Sequence, residues 1–117
     1  MITVEKARLQ ALALPGVTEA PHFDVTSFRI NNKIFATLWE KDRKVMVKLS
    51  LADQSVFCLL KNKSVYPVPG AWGEQGATFI ELKKINLSIL KDALLCAWKN
   101  VATPALRKKY ARTLLSS

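Results

Sequence analysis

The 117-residue chain has four glycines, two cysteines, one histidine and nine acidic residues, against eighteen Lys and Arg. Each scarcity excludes a class of protein. Cys58 and Cys96 stand 38 positions apart, each within a run that reads as helical and buried, so both read as reduced thiols. Neither has His or carboxylate neighbours at a ligand spacing, so no metal site is expected. A single His22 leaves little material for acid–base chemistry. No apolar run approaches the ~20 residues that cross a bilayer. The start Met1-Ile-Thr-Val-Glu-Lys6 lacks the basic-then-apolar layout of a secretory signal. Internal repeats, low-complexity tracts and linkers are missing as well. These gaps lead us to expect a cytoplasmic protein with two reduced core thiols and no membrane partner. A disulfide is the lesser alternative.

Half of the residues are hydrophobic, enough to pack one core, so the chain reads as a single domain over 1–117. The net charge of +9 is unevenly spread. Residues 1–60 carry 8 Lys/Arg and 6 Asp/Glu, whereas 61–117 carry 10 and 3, a local surplus of +7. Such a surplus attracts polyanions through long-range field and counterion release. It serves equally as a solubilising surface.

Local patterns give the elements. Thr3 can cap a first helix with Val4, Ala7, Ala11 and Leu12 on one face, stopped by Pro15-Gly16. Residues 17–25 read as an irregular connection. The runs Ser27–Ile30 and Lys33–Trp39 flank Asn31-Asn32, a pair suited to the positive φ angles of a tight hairpin. A third strand follows over 44–49, where Val45 and Val47 alternate with Lys44, Met46 and Lys48, implying one covered and one wet face. Ser50 can cap a second helix over 51–61 whose apolar stripe is Ala52, Val56, Leu59 and Leu60. A brief strand at Val65-Tyr66 and a last one over 78–82 flank a Pro/Gly loop. Asn86 or Ser88 can cap a third helix carrying Leu90, Leu94, Ala97 and Trp98. Thr103-Pro104 opens the final helix, with Leu106, Tyr110 and Leu114 on one side. The order is α-β-β-β-α-β-β-α-α, an α+β domain with helices packed on an antiparallel sheet.

Three stretches together resemble the MmcQ/YjbR family: Leu14–Asp24, Ser27–Ile30 with Lys33–Leu38, and the loop Pro67–Phe79. The similarity covers almost the whole chain, in order. It implies a fold like that of frataxin and secretion chaperones, of bacterial type, and a DNA-binding role through a double-wing use of strands and loops. The loop departs from the family pattern at Ala77, where relatives carry an aromatic, and at Glu74, near which they carry a base.

Candidate chemistry is sparse. His22 beside Asp24 could pair as base and orienter, but i and i+2 diverge and no nucleophile is framed for them. A structural His is the simpler reading. Gly70, Gly73 and Gly76 do not match dinucleotide or P-loop spacing. We therefore expect no enzyme activity and no cofactor. Trp98 belongs to the core, and Trp39 to core or rim. Trp72 reads first as an anchor for its loop, with base stacking the alternative. Candidate nucleic-acid contacts are Lys33, Lys44, Lys48, Lys83, Lys84, Arg107, Lys108, Lys109 and Arg112. Consecutive bases on the last helix fan over ~200°, which favours diffuse over base-reading contact. The expected function is weak, sequence-independent DNA binding. Its alternative is a protein or small-ligand pocket beside the 67–79 loop, drawing on His22, Phe23, Tyr66, Trp72 and Phe79. A monomer is expected rather than an oligomer.

Overall fold

The computed structural model describes residues 1–60 and 62–116. Six antiparallel strands form one sheet: β1 (Thr18–His22), β2 (Val25–Ile30), β3 (Lys33–Trp39), β4 (Lys44–Lys48), β5 (Val65–Pro67) and β6 (Ala77–Glu81), in the order β1-β2-β3-β4-β6-β5. Five helices accompany it: α1 (Val4–Leu12), α2 (Leu51–Phe57), a single turn α3 (Ala71–Glu74), α4 (Leu87–Val101) and α5 (Pro104–Ser116). The α+β architecture read from sequence is the one observed, extended by β1 and α3.

The hairpin turn behaves as its residues require. Asn31 and Asn32 both take positive φ, 50° and 67°, as a two-residue turn matched to strand twist demands. Between Phe28 and Arg29 the β2–β3 register shifts, so that Phe28 faces Ala36 while Arg29 faces Ile34. This bulge leaves Phe35 as the extra residue and turns Ile34 to the same face as Arg29.

Alternation then divides the sheet. Phe28, Ile30, Ala36, Leu38, Val45, Val47 and Ile80 are buried and share one face by register. Helix α4 lies across this face on β3 and β4, with α1 beside it. It contributes Leu90, Ala93, Leu94, Ala97 and Trp98. The Trp98 indole N–H donates to the carbonyl of Pro15 at 2.9 Å, tying α4 to the loop that ends α1. Tyr110 of α5 stacks on the same indole, with ring centroids 5.2 Å apart. The predicted caps form: Thr3 Oγ1 accepts from Lys6 N, Ser50 Oγ from Asp53 N, Asn86 Oδ1 from Ile89 N and Thr103 Oγ1 from Leu106 N. Leu114 lies outside the described side chains.

Two local expectations are corrected. The connection over 17–25 is largely strand β1, held at the sheet edge where Pro21 needs no ladder donor. Arg8 of α1 clamps Glu19 of β1 through two hydrogen bonds, and this lowers the Glu19 carboxyl from its ordinary range. Helix α2 ends at Phe57, and of its expected apolar stripe only Leu60, beyond the helix, packs partly on the core. Ala52, Val56 and Leu59 are exposed, the last by 79%. The helix buries Gln54 instead. Finally, both edge strands carry a proline, Pro21 on β1 and Pro67 on β5.

Candidate functional site on the open face of the sheet

The face opposite the core carries the other residues of each alternation. Ser27, Thr37, Met46, Phe79 and Tyr66 form one row across the strands, and Trp39, Lys44 and Glu81 form the next. Of these, Thr37, Trp39, Met46 and Phe79, together with Lys48, parts of the 67–76 segment and the end of α4, bound a groove of about 560 Å³. His22 and Val25 lie at one end of it and Val68, Trp72 and Gln75 at the other. Thr37, Trp39, Met46 and Phe79 make the floor, while Lys48, Asn100 and Val101 close one side. The lining is mostly apolar and includes no acidic residue.

The aromatic floor is held by its own contacts. Trp39 meets Phe79 edge-on at 5.2 Å, and its indole N–H donates to Thr37 Oγ1 at 2.8 Å. Tyr66 tilts against Phe79 at 5.9 Å. The Lys44 ammonium sits 3.9 Å from the Phe79 ring centroid and 5.4 Å from that of Trp39. Such a cation over two rings is held by their quadrupoles and keeps positive charge beside an apolar surface. At the far end the Tyr66 hydroxyl donates to the Glu81 carboxylate. Burial, then the bonded and nearby negative charge of Glu81 and of Asp42, push the Tyr66 phenol up to about 12. The acid Glu81 thus lies outside the groove lining, opposite Lys44 in register and bonded to Tyr66.

The Pro/Gly loop is fixed from below. Gln54 of α2 reaches through the core side to donate its amide to Gly73 O at 2.9 Å, Thr78 Oγ1 at 3.0 Å and Ala77 O at 3.2 Å. Two glycines allow the backbone to come close. A Cβ on Gly73 would lie 1.8 Å from Val68 O, and one on Gly76, where φ is +108°, would lie 2.0 Å from Leu49 O. The loop therefore needs no tryptophan to hold it. Trp72 is 72% exposed at the rim of the groove, which overturns its reading as an anchor.

Of the ligand candidates, His22, Trp72 and Phe79 line the groove. Tyr66 adjoins it through Phe79. Phe23 stands 92% exposed on the β1–β2 turn, its ring 4.8 Å from that of His22. The cationic candidates divide between layers. Lys44 and Lys48 belong to the open face. Lys33 is exposed at the β2–β3 turn, and Lys83 and Lys84 are exposed just after β6. Arg107, Lys108, Lys109 and Arg112 ride on α5, which packs through Tyr110 on α4, on the other side of the sheet. One flat molecule cannot touch both groups. Cys58 and Cys96 are half-buried free thiols, and burial pushes both up from the ordinary thiol range.

Sequence reasoning missed Gln54, Met46, Ile34 and Asn100 as parts of this region. The alternation that buries Leu38 and Val45 already sends Trp39 and Lys44 to the other face. Nothing local marks Gln54 or the bulge that redirects Ile34. No helix among the described residues is long and apolar enough to cross a membrane.

Comparison with known proteins agrees with this architecture. A crystal structure of the Deinococcus radiodurans protein DR2400, of family-model domain DUF419, superposes with a TM-score of 0.71 at 18% identity. The match covers 93% of this chain and 88% of that one. No curated protein sequence matches the chain. The family model YjbR matches residues 12–100, a span that runs from the end of α1 through all six strands to α4. The chain belongs to the YjbR family.

Proposed function

We propose that the domain is a non-enzymatic binding module, cytoplasmic and monomeric, that holds nucleic acid weakly and without sequence preference on the open sheet face. The observation carrying this reading is the groove itself: a lining that holds Lys48 and the exposed ring of Trp72 and includes no acid, with Lys44 over the Phe79 ring just outside it. Cations of this kind follow phosphates, while aromatic planes accept bases of any identity. The α5 cluster contributes long-range attraction from the opposite layer. The lining also offers no serine, cysteine or carboxylate for His22 to work with, which supports a binding rather than a catalytic role.

A salt titration of oligonucleotide binding tests this. Affinity should fall linearly on logarithmic axes, by a slope of about −0.7 per phosphate for a single strand or about −0.9 for a duplex. Lys44→Ala and Lys48→Ala should each reduce the slope by about one such increment. Absence of binding at the lowest salt refutes the reading. One observation favours a second: the groove volume lies within the range of about 300–1,000 Å³ typical of small-molecule sites. An anionic aromatic compound that raises Tm while oligonucleotides do not would select it.

A further inference from the structure

Two aromatic side chains stand in water at opposite ends of the groove, and the fold holds both there. Trp72 is carried on a turn clamped by Gln54 and by the close approach of Gly73 to Val68. Phe23 occupies the left-handed region, with φ of 58°, at the tip of the β1–β2 hairpin. That conformation is unfavourable for a bulky residue, and it keeps the ring outside the core. What sets these two apart from the other exposed apolar side chains is that they are aromatic and flank the groove, Trp72 in its lining and Phe23 beside His22. Between them lie β2, β3, β4 and β6. At a strand spacing of about 4.8 Å the rings are separated by on the order of 20 Å, room for a short run of nucleotides.

We infer that this face selects single-stranded over double-stranded nucleic acid, with bases stacking on Trp72 and Phe23 while phosphates follow Lys44 and Lys48. The inference rests on the proposed nucleic-acid role and sharpens it. In a duplex the base faces are covered by their neighbours, so the exposed rings would meet only sugar and phosphate. An unpaired strand offers a free face at every base. The Trp72 turn is set before binding by the Gln54 hydrogen bond and the close approach of Gly73 to Val68, which lowers the ordering cost at that end.

Fluorescence anisotropy with labelled oligothymidylate and with a mixed-sequence duplex of equal length, over a range of salt, tests the assignment. The single strand should bind about tenfold tighter or more than the duplex. Trp72→Ala and Phe23→Ala should each weaken single-strand binding about tenfold, with the salt slope kept and duplex affinity lowered far less. Lys48→Ala should behave in the opposite way, weakening both substrates and lowering the slope. Both rings are at the surface, so these variants should fold, which circular dichroism checks. Equal affinity for the two substrates, or full single-strand affinity in Trp72→Ala, overturns the selectivity and leaves general nucleic-acid binding standing. No binding of either substrate at the lowest salt removes the underlying reading as well.

Discussion

Replacing Gln54 by methionine removes the clamp beneath the candidate site while nearly preserving side-chain volume. The two amide hydrogens serve three acceptors, Gly73 O, Thr78 Oγ1 and Ala77 O. None of these would be stranded. Gly73 O also accepts from Gly76 N, Ala77 O accepts from Val68 N, and Thr78 Oγ1 donates to Gly76 O. The cost is therefore the net worth of about two hydrogen bonds, roughly 1–3 kcal/mol, without a large penalty for unsatisfied groups. For a chain of this size a loss near 2 kcal/mol lowers Tm by about 8 °C. Thermal unfolding followed by circular dichroism gives the total, and amide exchange gives the location. Faster exchange at Val68 and Gly76, with the β2–β3 amides unaffected, is the expected pattern. A change below about 0.5 kcal/mol with unaltered exchange in the loop would refute the clamp. Gln54→Glu should be worse at neutral pH, since a carboxylate faces three acceptors. Its folded-state pKa would be raised, so stability should be fullest in acid and decline as pH rises through that pKa.

Other expectations follow from the same geometry. Gly73→Ala and Gly76→Ala each place a Cβ within 2.0 Å of a carbonyl oxygen and should cost several kcal/mol or abolish folding, as soluble yield and urea unfolding will report. Gly70→Ala meets no neighbour but sits at φ 88° and ψ −159°, a region essentially confined to glycine, so backbone strain alone should cost about 1–3 kcal/mol. Leu59→Lys should alter stability by less than about 0.5 kcal/mol in urea unfolding, because the side chain is already in water. The Tyr66 phenol is raised above its ordinary value to about 12, so the fold favours its neutral form. That stabilisation is complete below pH ~10 and is lost as pH climbs towards ~12. Tyr66→Phe should flatten the alkaline decline of Tm over that window.

Much of the fold was legible because local chemistry and tertiary packing agree. Asn31-Asn32 could only make a tight turn, and the Val45–Val47 alternation already named the buried face. Trp98 sat on an unbroken apolar stripe. The failures share a cause: tertiary demands that leave no local trace. Strand β1 contains Pro21 and reads as a break, yet an edge position tolerates it. In α2 a helical stripe of Ala52, Val56, Leu59 and Leu60 looked like core, whereas Gln54 is the side chain turned inward, where its amide adds hydrogen bonds to loop acceptors that backbone groups already partly satisfy. Once Gln54 and the glycines hold the loop, Trp72 is released to the surface. The site was legible as residue types, and its geometry was not.

The prolines on the two outer strands bear on how such a face survives in a crowded cell. A sheet flanked by exposed rings such as Trp72 and Phe23 invites association, and association becomes fibrous when margins can also recruit new strands. Pro21 and Pro67 each delete an amide from a margin. Lateral growth of the sheet is thereby discouraged at both sides, and its width stays at six strands. The domain can keep these rings uncovered at high concentration, because the route from exposure to polymer is interrupted at its margins.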